Sequence, residues 1–221
     1  MSQTTIVEIN NLFLKSDRGA QIFKNLNFKL SPGRSAVIQG PAGSGKSSLV
    51  ELLIGLRKPE SGSIELFGEG LGRNWGGRLD RLRQKIGGVG GLFELIPSYT
   101  VAENIAFPLI LDGEPSKARK ELLLRMLTEF SLITQAGTYP RRLTRVERTL
   151  VQFARASIAN QPLMIIDEPA AGLDSSTSGR IHEFLVKASF SGRSMIILTS
   201  EKTTEIIPNS DYYQLKAGEL V

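Results

Sequence analysis

The sequence predicts an α/β domain with a mostly parallel sheet, an antiparallel β segment at its N-terminal end and a helical segment inserted in its middle. Three observations lead there. SAVIQ (35–39), PLMIID (162–167) and RSMIILTS (193–200) are short apolar runs of the kind found in strands covered on both faces. Stretches with helical apolar spacing, 47–56, 116–131 and 175–189, lie between or beside them. Before residue 31 the chain alternates instead, in TTIVEI, FLKS and FKNLNFKL, as half-buried antiparallel strands do.

Taken in order, the turn DRGAQ separates the first alternating stretches from FKNLNFKL, and SPG turns the chain into SAVIQ. A glycine-rich loop leads to the helix SSLVELLIGL (47–56), stopped by KPESG and followed by a hairpin-like SIELFG. GRLDRLRQK is read as a short helix, IGGVGG as a flexible strand end, and TVAENIAFPLI as a helix halted by Pro108. SKARKELLLRMLTEFS (116–131) and about 144–159 are amphipathic helices. After PLMIID come the helix SSTSGRIHEFLVKAS, the strand RSMIILTS, a helix at EKTTEII and a closing hairpin in DYYQLKAGELV. One domain is expected over 1–221, with a helical subdomain inserted at approximately 92–160.

The composition is that of an ordinary soluble globular domain, 41% hydrophobic and 22% charged over 221 residues. No apolar run approaches the length of a bilayer span, and the polar MSQTTIVEIN reads as the start of a strand rather than a secretory leader. The absence of cysteine excludes disulfides and thiolate metal sites, and fits a cytoplasmic location. The net charge of +5 is scattered apart from RNWGGRLDRLRQK (73–85) and PRRLTRVER (140–148). Without an aromatic ribonucleoprotein pattern or zinc-finger spacing, no nucleic-acid partner is expected.

VIQGPAGSGKSSLV (37–50) is the most informative stretch. Gly40 to Ser47 satisfies G-x-x-x-x-G-K-[ST] between a predicted strand and a predicted helix. In such a loop the backbone N–H groups of Gly40, Pro41, Ala42, Gly43, Ser44, Gly45, Lys46, Ser47 and Ser48 (Pro41, which lacks one, shaping the bend) surround phosphate oxygens, helped by the positive end of the helix dipole. Lys46 is expected on the β- and γ-phosphates and the Ser47 hydroxyl on Mg2+. In LMIIDEPAAGLD (163–174), an apolar strand delivers Asp167 as a second Mg2+ ligand and Glu168 as the catalytic base for an attacking water. The pair of motifs implies a nucleoside triphosphate, ATP with Mg2+.

Order and spacing resemble the nucleotide-binding subunits of ATP-binding cassette (ABC) transporters over essentially the whole chain. GPAGSGKSS and MIIDEP match the family's two nucleotide motifs. AGLD (171–174) resembles its interface loop, IPSYTVAENIAFPL (96–109) the stretch after its glutamine loop in lipid- and lipoprotein-handling members, and LKAGELV its closing hairpin. The resemblance implies a P-loop NTPase domain with a helical subdomain. It also implies a head-to-tail homo- or heterodimer that sandwiches ATP between the phosphate loop of one subunit and the signature motif of the other. The implied partner is an integral-membrane transporter subunit, with the chain peripheral on the inner face of the cell membrane. GGLFELIPSYTVAENIAFPL is the expected docking region, with Phe93, Leu95 and Ile96 as exposed apolar residues.

Four positions depart from the family pattern. Leu143-Thr144-Arg145-Val146-Glu147 occupies the place of Leu-Ser-Gly-Gly-Gln/Glu, so side chains replace two signature glycines. Thr144 keeps a hydroxyl and a capping role, and Arg145 offers a direct phosphate ligand in place of the glycine N–H groups. The loop glutamine should fall near Gly91, whereas Gln84 lies too early and Glu94 three positions late. The switch histidine should follow SMIIL, where Ser200 stands; His182, the chain's single histidine, is read as a surface or packing residue of the helix after AGLD. The adenine-stacking aromatic should fall near Ser16, with Phe13 as a substitute. ATP binding with slow or partner-dependent hydrolysis is the expected outcome. Two other classes fit a phosphate loop: a soluble ATP-dependent switch without a transporter, and a phosphoryl-transferring kinase, for which no arginine-rich lid is evident beyond PRRLTRVER.

Overall fold

The computed structural model describes residues 5–71, 76–200 and 206–221. It divides into two compact units, one formed by Met1–Arg83 with Ile165–Val221 and the other by Gln84–Met164.

In the first unit an antiparallel sheet has the order β2-β1-β4-β5, with β1 at Val7–Lys15, β2 at Gln21–Leu30, β4 at Ser61–Leu66 and β5 at Glu69–Gly70. The two alternating stretches TTIVEI and FLKS join into one strand, β1, whose register against β2 shifts after Ile9 near Asn11, a residue at φ 49°. Val7, Ile9, Leu12, Leu14, Phe23 and Leu26 are buried: the alternation puts Val7 with Ile9 and Leu12 with Leu14, and the register shift between them returns the second pair to the inner face. A second sheet runs β10-β9-β3-β8-β7, where β3 is Ser35–Gln39, β7 Leu163–Asp167, β8 Ser194–Thr199, β9 Ser210–Lys216 and β10 Glu219–Leu220. β3 pairs in parallel with β8 and with β9. All six residues of β8 and the first four of β3 and β7 are buried, which their unbroken apolar sequences anticipate.

Helix α1 covers Lys46–Leu53 and α6 covers Ser175–Phe190; α2 spans Gly76–Gln84, where the chain passes from one unit to the next. α1 ends three residues before the expected stop, because Ile54 leaves the helix and Gly55 follows at φ 66°. The Arg83 Nε donates to the Ile54 carbonyl at this end, at 2.8 Å. The basic run at 73–85 and the helix expected at EKTTEII fall partly outside the described residues.

The second unit contains β6 (Ile86–Val89) and helices α3 (Val101–Leu111), α4 (Ser116–Glu129) and α5 (Arg145–Ile158). Pro108 does not halt α3: the helix continues to Leu111, and the Asp112 N–H still reaches the Pro108 carbonyl at 3.0 Å. Proline forgoes its own N–H bond and crowds the carbonyl four residues back, yet this cost does not end a helix whose buried face, Val101, Asn104, Ile105 and Leu109, runs past it. The stop comes at Gly113 (φ 73°), where the Gly113 N–H bonds Ile110 O and the Glu114 N–H bonds Leu109 O in a Schellman arrangement.

Buried Asn104 organises the preceding loop. Its Oδ1 accepts from the Ile96 N–H at 2.8 Å, and its Nδ2 reaches the carbonyls of Ile96, Tyr99 and Thr100 at 3.0–3.1 Å. The docking residues expected to be exposed are otherwise engaged: Leu95 is buried, Ile96 and Phe93 are half-buried, and the Phe93 ring lies directly over Gly88. A loop without its own helical hydrogen bonds closes on its own apolar side chains, which a linear reading of exposure misses. The exposed apolar residues of this unit are instead Leu92, Ile110, Leu111, Leu124, Ile133 and Tyr139.

Candidate nucleotide site

The connection between β3 and α1 is the phosphate loop, and its two ends are held by neighbouring strands. The Gly40 N–H donates to the Thr199 carbonyl at 3.0 Å, and a Cβ on Gly40 would stand 2.6 Å from Ser44 Oγ and 3.0 Å from Leu215 O. Gly45, the residue that caps α1, has φ 106° and would push a Cβ to within 2.9 Å of Ile22 and 3.0 Å of Phe23 on β2. Only glycine combines that left-handed backbone with that close approach. Having no side chain, Gly45 makes no capping hydrogen bond at the positive end of α1. Ser44 Oγ is buried without a protein partner in the same loop. A buried hydroxyl left unpaired beside an uncapped helix start is suited to an anion that accepts hydrogen bonds.

Lys46, 6% exposed, folds its ammonium back onto the loop, with Nζ 2.7 Å from Gly40 O, 3.2 Å from Pro41 O and 3.3 Å from Glu168 Oε1. Asp167 ends β7 next to it. The Asp167 carboxyl lies above its ordinary pKa, first because of burial and second because of the Glu168 charge; Lys46 and a hydrogen bond from Ser47 oppose the shift. Its Oδ1 is buried with no hydrogen-bond partner. An orphaned carboxylate oxygen beside a serine hydroxyl is a hard-oxygen pair that fits Mg2+, the remaining ligands coming from phosphate and water.

Glu168 has a left-handed backbone, φ 54°, rare for a residue with a β-carbon. Its N–H donates to Leu198 O at 2.8 Å, and Oε2 accepts from both the N–H (3.0 Å) and the Oγ (3.1 Å) of Ser200. Of the residues singled out in the sequence, Gly40–Ser48, Asp167 and Glu168 thus come together in one unit. His182 lies elsewhere on α6, half-buried, and Phe13 is half-buried on β1 opposite Ser61. Sequence reasoning placed Ser200 at the switch position and found no role for it; the hydroxyl–carboxylate bond arises from the adjacency of β7 and β8 and has no local signal.

In the second unit, Thr144 caps α5 in a closed capping box. The Glu147 N–H donates to Thr144 Oγ1 at 3.2 Å, while Glu147 Oε2 accepts from the Thr144 N–H (2.8 Å) and hydroxyl (2.9 Å). These bonds hold the Glu147 carboxyl below its usual range, and Gln135 adds to them through Oε1. A carboxylate of this chain therefore lies over the helix start that the signature motif would present to phosphate. Arg145 is exposed and Val146 half-buried. Near the place of the missing loop glutamine, Gln152 of α5 brackets Gly90: Oε1 accepts from its N–H and Nε2 donates to its carbonyl, both at 3.2 Å. Gln152 was missed in the sequence, although a polar residue among buried Val151, Phe153 and Ala154 was a usable signal.

The family model described as ABC transporter matches residues 23–171. The methionine import ATP-binding protein MetN of Carboxydothermus hydrogenoformans is 35% identical over 185 residues, which cover 83% of this chain and 55% of the relative, so the chain spans about half the length of that protein. The lipoprotein-releasing system ATP-binding protein LolD 1 of Rhodopirellula baltica is 28% identical over 217 residues, 98% of this chain and 95% of the relative. Among solved structures, the dimeric ATP-binding cassette MJ0796 in a post-hydrolysis state bound to ADP and Pi superposes with a TM-score of 0.86 at 28% identity, over 97% of this chain and 96% of that one. Among the described residues no helix is long and apolar enough to cross a membrane. With a phosphate loop seated between β3 and α1, an acidic pair at the end of β7, and a family model that matches most of its length, this chain belongs to the ABC transporter family, with the fold of its ATP-binding cassettes.

Proposed function

We propose that this chain is the ATP-binding subunit of an ABC-type membrane transport complex, coupling ATP binding, with slow or partner-dependent hydrolysis, to transport. The observation that carries it is the constellation in the first unit: an uncapped α1, a buried unpaired Ser44 hydroxyl, and Lys46 poised over the loop beside an orphaned Asp167 oxygen. The N–H groups and side chains of residues 40–48 hold the phosphates, and Lys46 exchanges the Gly40 and Pro41 carbonyls for β- and γ-phosphate oxygens. Ser47 and Asp167 hold Mg2+, which supplies charge neutralisation to the phosphates when bound. Glu168 takes the proton of the water that attacks the γ-phosphorus as the bond to the ADP oxygen breaks.

This reading includes a membrane subunit, a second cassette of the same or a different chain, and a peripheral position on the inner face of the cell membrane, and the names of the relatives support it. LolD and MetN are named as a lipoprotein-releasing-system and a methionine-import protein. Slow or partner-dependent turnover is supported by the side chains at Arg145 and Val146, by Gly91 in place of glutamine and by Ser200 in place of histidine.

Equilibrium binding of Mg-ATP to the purified chain tests the core of this reading. Lys46→Ala is expected to weaken binding by about 10- to 100-fold, the worth of a lost charge-assisted contact. Unchanged affinity would remove the phosphate loop from the site. Glu168→Gln should retain binding and lose turnover.

A further inference from the structure

We propose that Ser200 is the positioning residue for Glu168, taking over by its side-chain hydroxyl the support that a histidine at this place would have to give differently. The inference rests on the ATPase reading above, and it deepens that reading by naming what aims the base. Glu168 is held through its main chain and through both carboxylate oxygens. Its main chain is tied to β8 through Leu198 O, its Oε1 meets Lys46 Nζ at 3.3 Å, and its Oε2 receives both donors of Ser200, at 3.0 and 3.1 Å. The left-handed backbone at φ 54° sets the direction in which the side chain leaves β7. A non-glycine residue keeps such a conformation only where its surroundings over-determine it.

The two side-chain supports differ in permanence. Lys46 also serves the Gly40 and Pro41 carbonyls, and it is the group that turns to phosphate when nucleotide binds. Ser200 has no such second task in these bonds. Once Lys46 has moved, Ser200 still holds Oε2, and Oε1 is left as the oxygen able to accept the proton of water. A serine side chain is short, so its hydroxyl acts on the carboxylate one strand away; Ser200 therefore affects the chemistry through Glu168.

Ser200→Ala removes the hydroxyl and keeps the backbone N–H, so it isolates one of the two bonds. In the purified full chain, with its membrane partner where turnover requires it, Ser200→Ala is expected to lower kcat about 10-fold, leave KM and Mg-ATP affinity within about 2-fold, and be largely restored by Ser200→Thr. A second measurement needs no turnover. In urea unfolding of the nucleotide-free chain, Ser200→Ala and Glu168→Ala should couple by about 5-fold in the unfolding constant. Strict additivity of the two substitutions, a wild-type kcat in Ser200→Ala, a change in KM alone, or ATP bound by the wild type without any turnover would each overturn the proposal. Failure of the wild type to bind Mg-ATP would overturn the nucleotide reading itself, and the binding arm separates that result from the others.

Discussion

Asp167 shows a conflict between function and stability in a single side chain. Burial raises its folded-state pKa above the unfolded value, so over the interval between the two the native state holds more protons than the unfolded one. Its contribution to stability is therefore full below about pH 3.9, the ordinary carboxylate value, and is lost as pH rises through the folded pKa. Its Oδ1 is buried and unpaired, which penalises the charged form. Asp167→Asn is expected to raise the urea midpoint of the nucleotide-free chain at pH 7 and to abolish the added stability that Mg2+ gives with ATP. A lower midpoint in the variant would contradict this account. The position of Asp167 at the end of β7 was legible because an apolar strand in the sequence ends at this carboxylate. The Ser200 bond was not legible, since it joins residues 32 apart in sequence that only the neighbouring strands bring together.

Among the elements, α5 illustrates how a helix serves two ends at once. Thr144 and Glu147 close its start, and such a cap contributes about 1 kcal/mol to helix stability. Because the box lowers the Glu147 pKa, the carboxylate's part of the box is present above the ordinary glutamate value and is lost as pH falls through the lowered one, while the bond from the Glu147 N–H to the Thr144 hydroxyl remains. Towards its other end Gln152 and Arg155 hold the glycine-rich turn: Gln152 Nε2 also donates to Phe93 O at 3.1 Å, and Arg155 Nη1 donates to Glu94 O at 2.9 Å. Burial brings the Arg155 guanidinium down to about 10, still charged at neutral pH, and these carbonyls are what compensate it. Gln152→Ala should cost about 1–3 kcal/mol by leaving the Gly90 N–H unpaired, the Gly90 carbonyl keeping its bond from the Phe93 N–H, and should speed hydrogen exchange at Gly90 selectively. Uniform exchange across the second unit would instead show general unfolding. The capping boxes at Thr100 and Thr144 were readable as T-x-x-E; the true end of α3 was not, because Pro108 is the louder signal and the Schellman turn at Gly113 sets the stop.

At the scale of the molecule, the chain leaves the first unit after Arg83 and returns at Ile165, so the phosphate loop and the acidic pair of one unit come from segments more than a hundred residues apart. In the proposed dimer a second cassette faces this one, and the closed capping box bears on how. With the Thr144 N–H and hydroxyl and the Glu147 N–H already engaged in the box, the motif offers an opposing phosphate the Arg145 side chain and the N–H groups of Arg145 and Val146. Arg145→Gly with Val146→Gly is expected to raise turnover about 10-fold without weakening nucleotide-dependent dimerisation, followed by ATPase assay and analytical ultracentrifugation. Weaker dimerisation in the double variant would instead identify Arg145 as a working phosphate ligand.

By itself the sequence determined the α/β class, the strand–loop–helix around Gly40–Ser47, and the acidic strand end at Asp167-Glu168. Each follows from short-range rules: apolar run length, glycine where backbone must turn tightly, and a helix start where phosphate must bind. Only the tertiary structure decided that Phe93 and Leu95 are packed away, that Gln152 braces Gly90, and that Ser200 and Lys46 share the Glu168 carboxylate. Those outcomes depend on which strands and helices lie side by side, and side-chain reach across neighbouring elements leaves no period or motif in the linear chain.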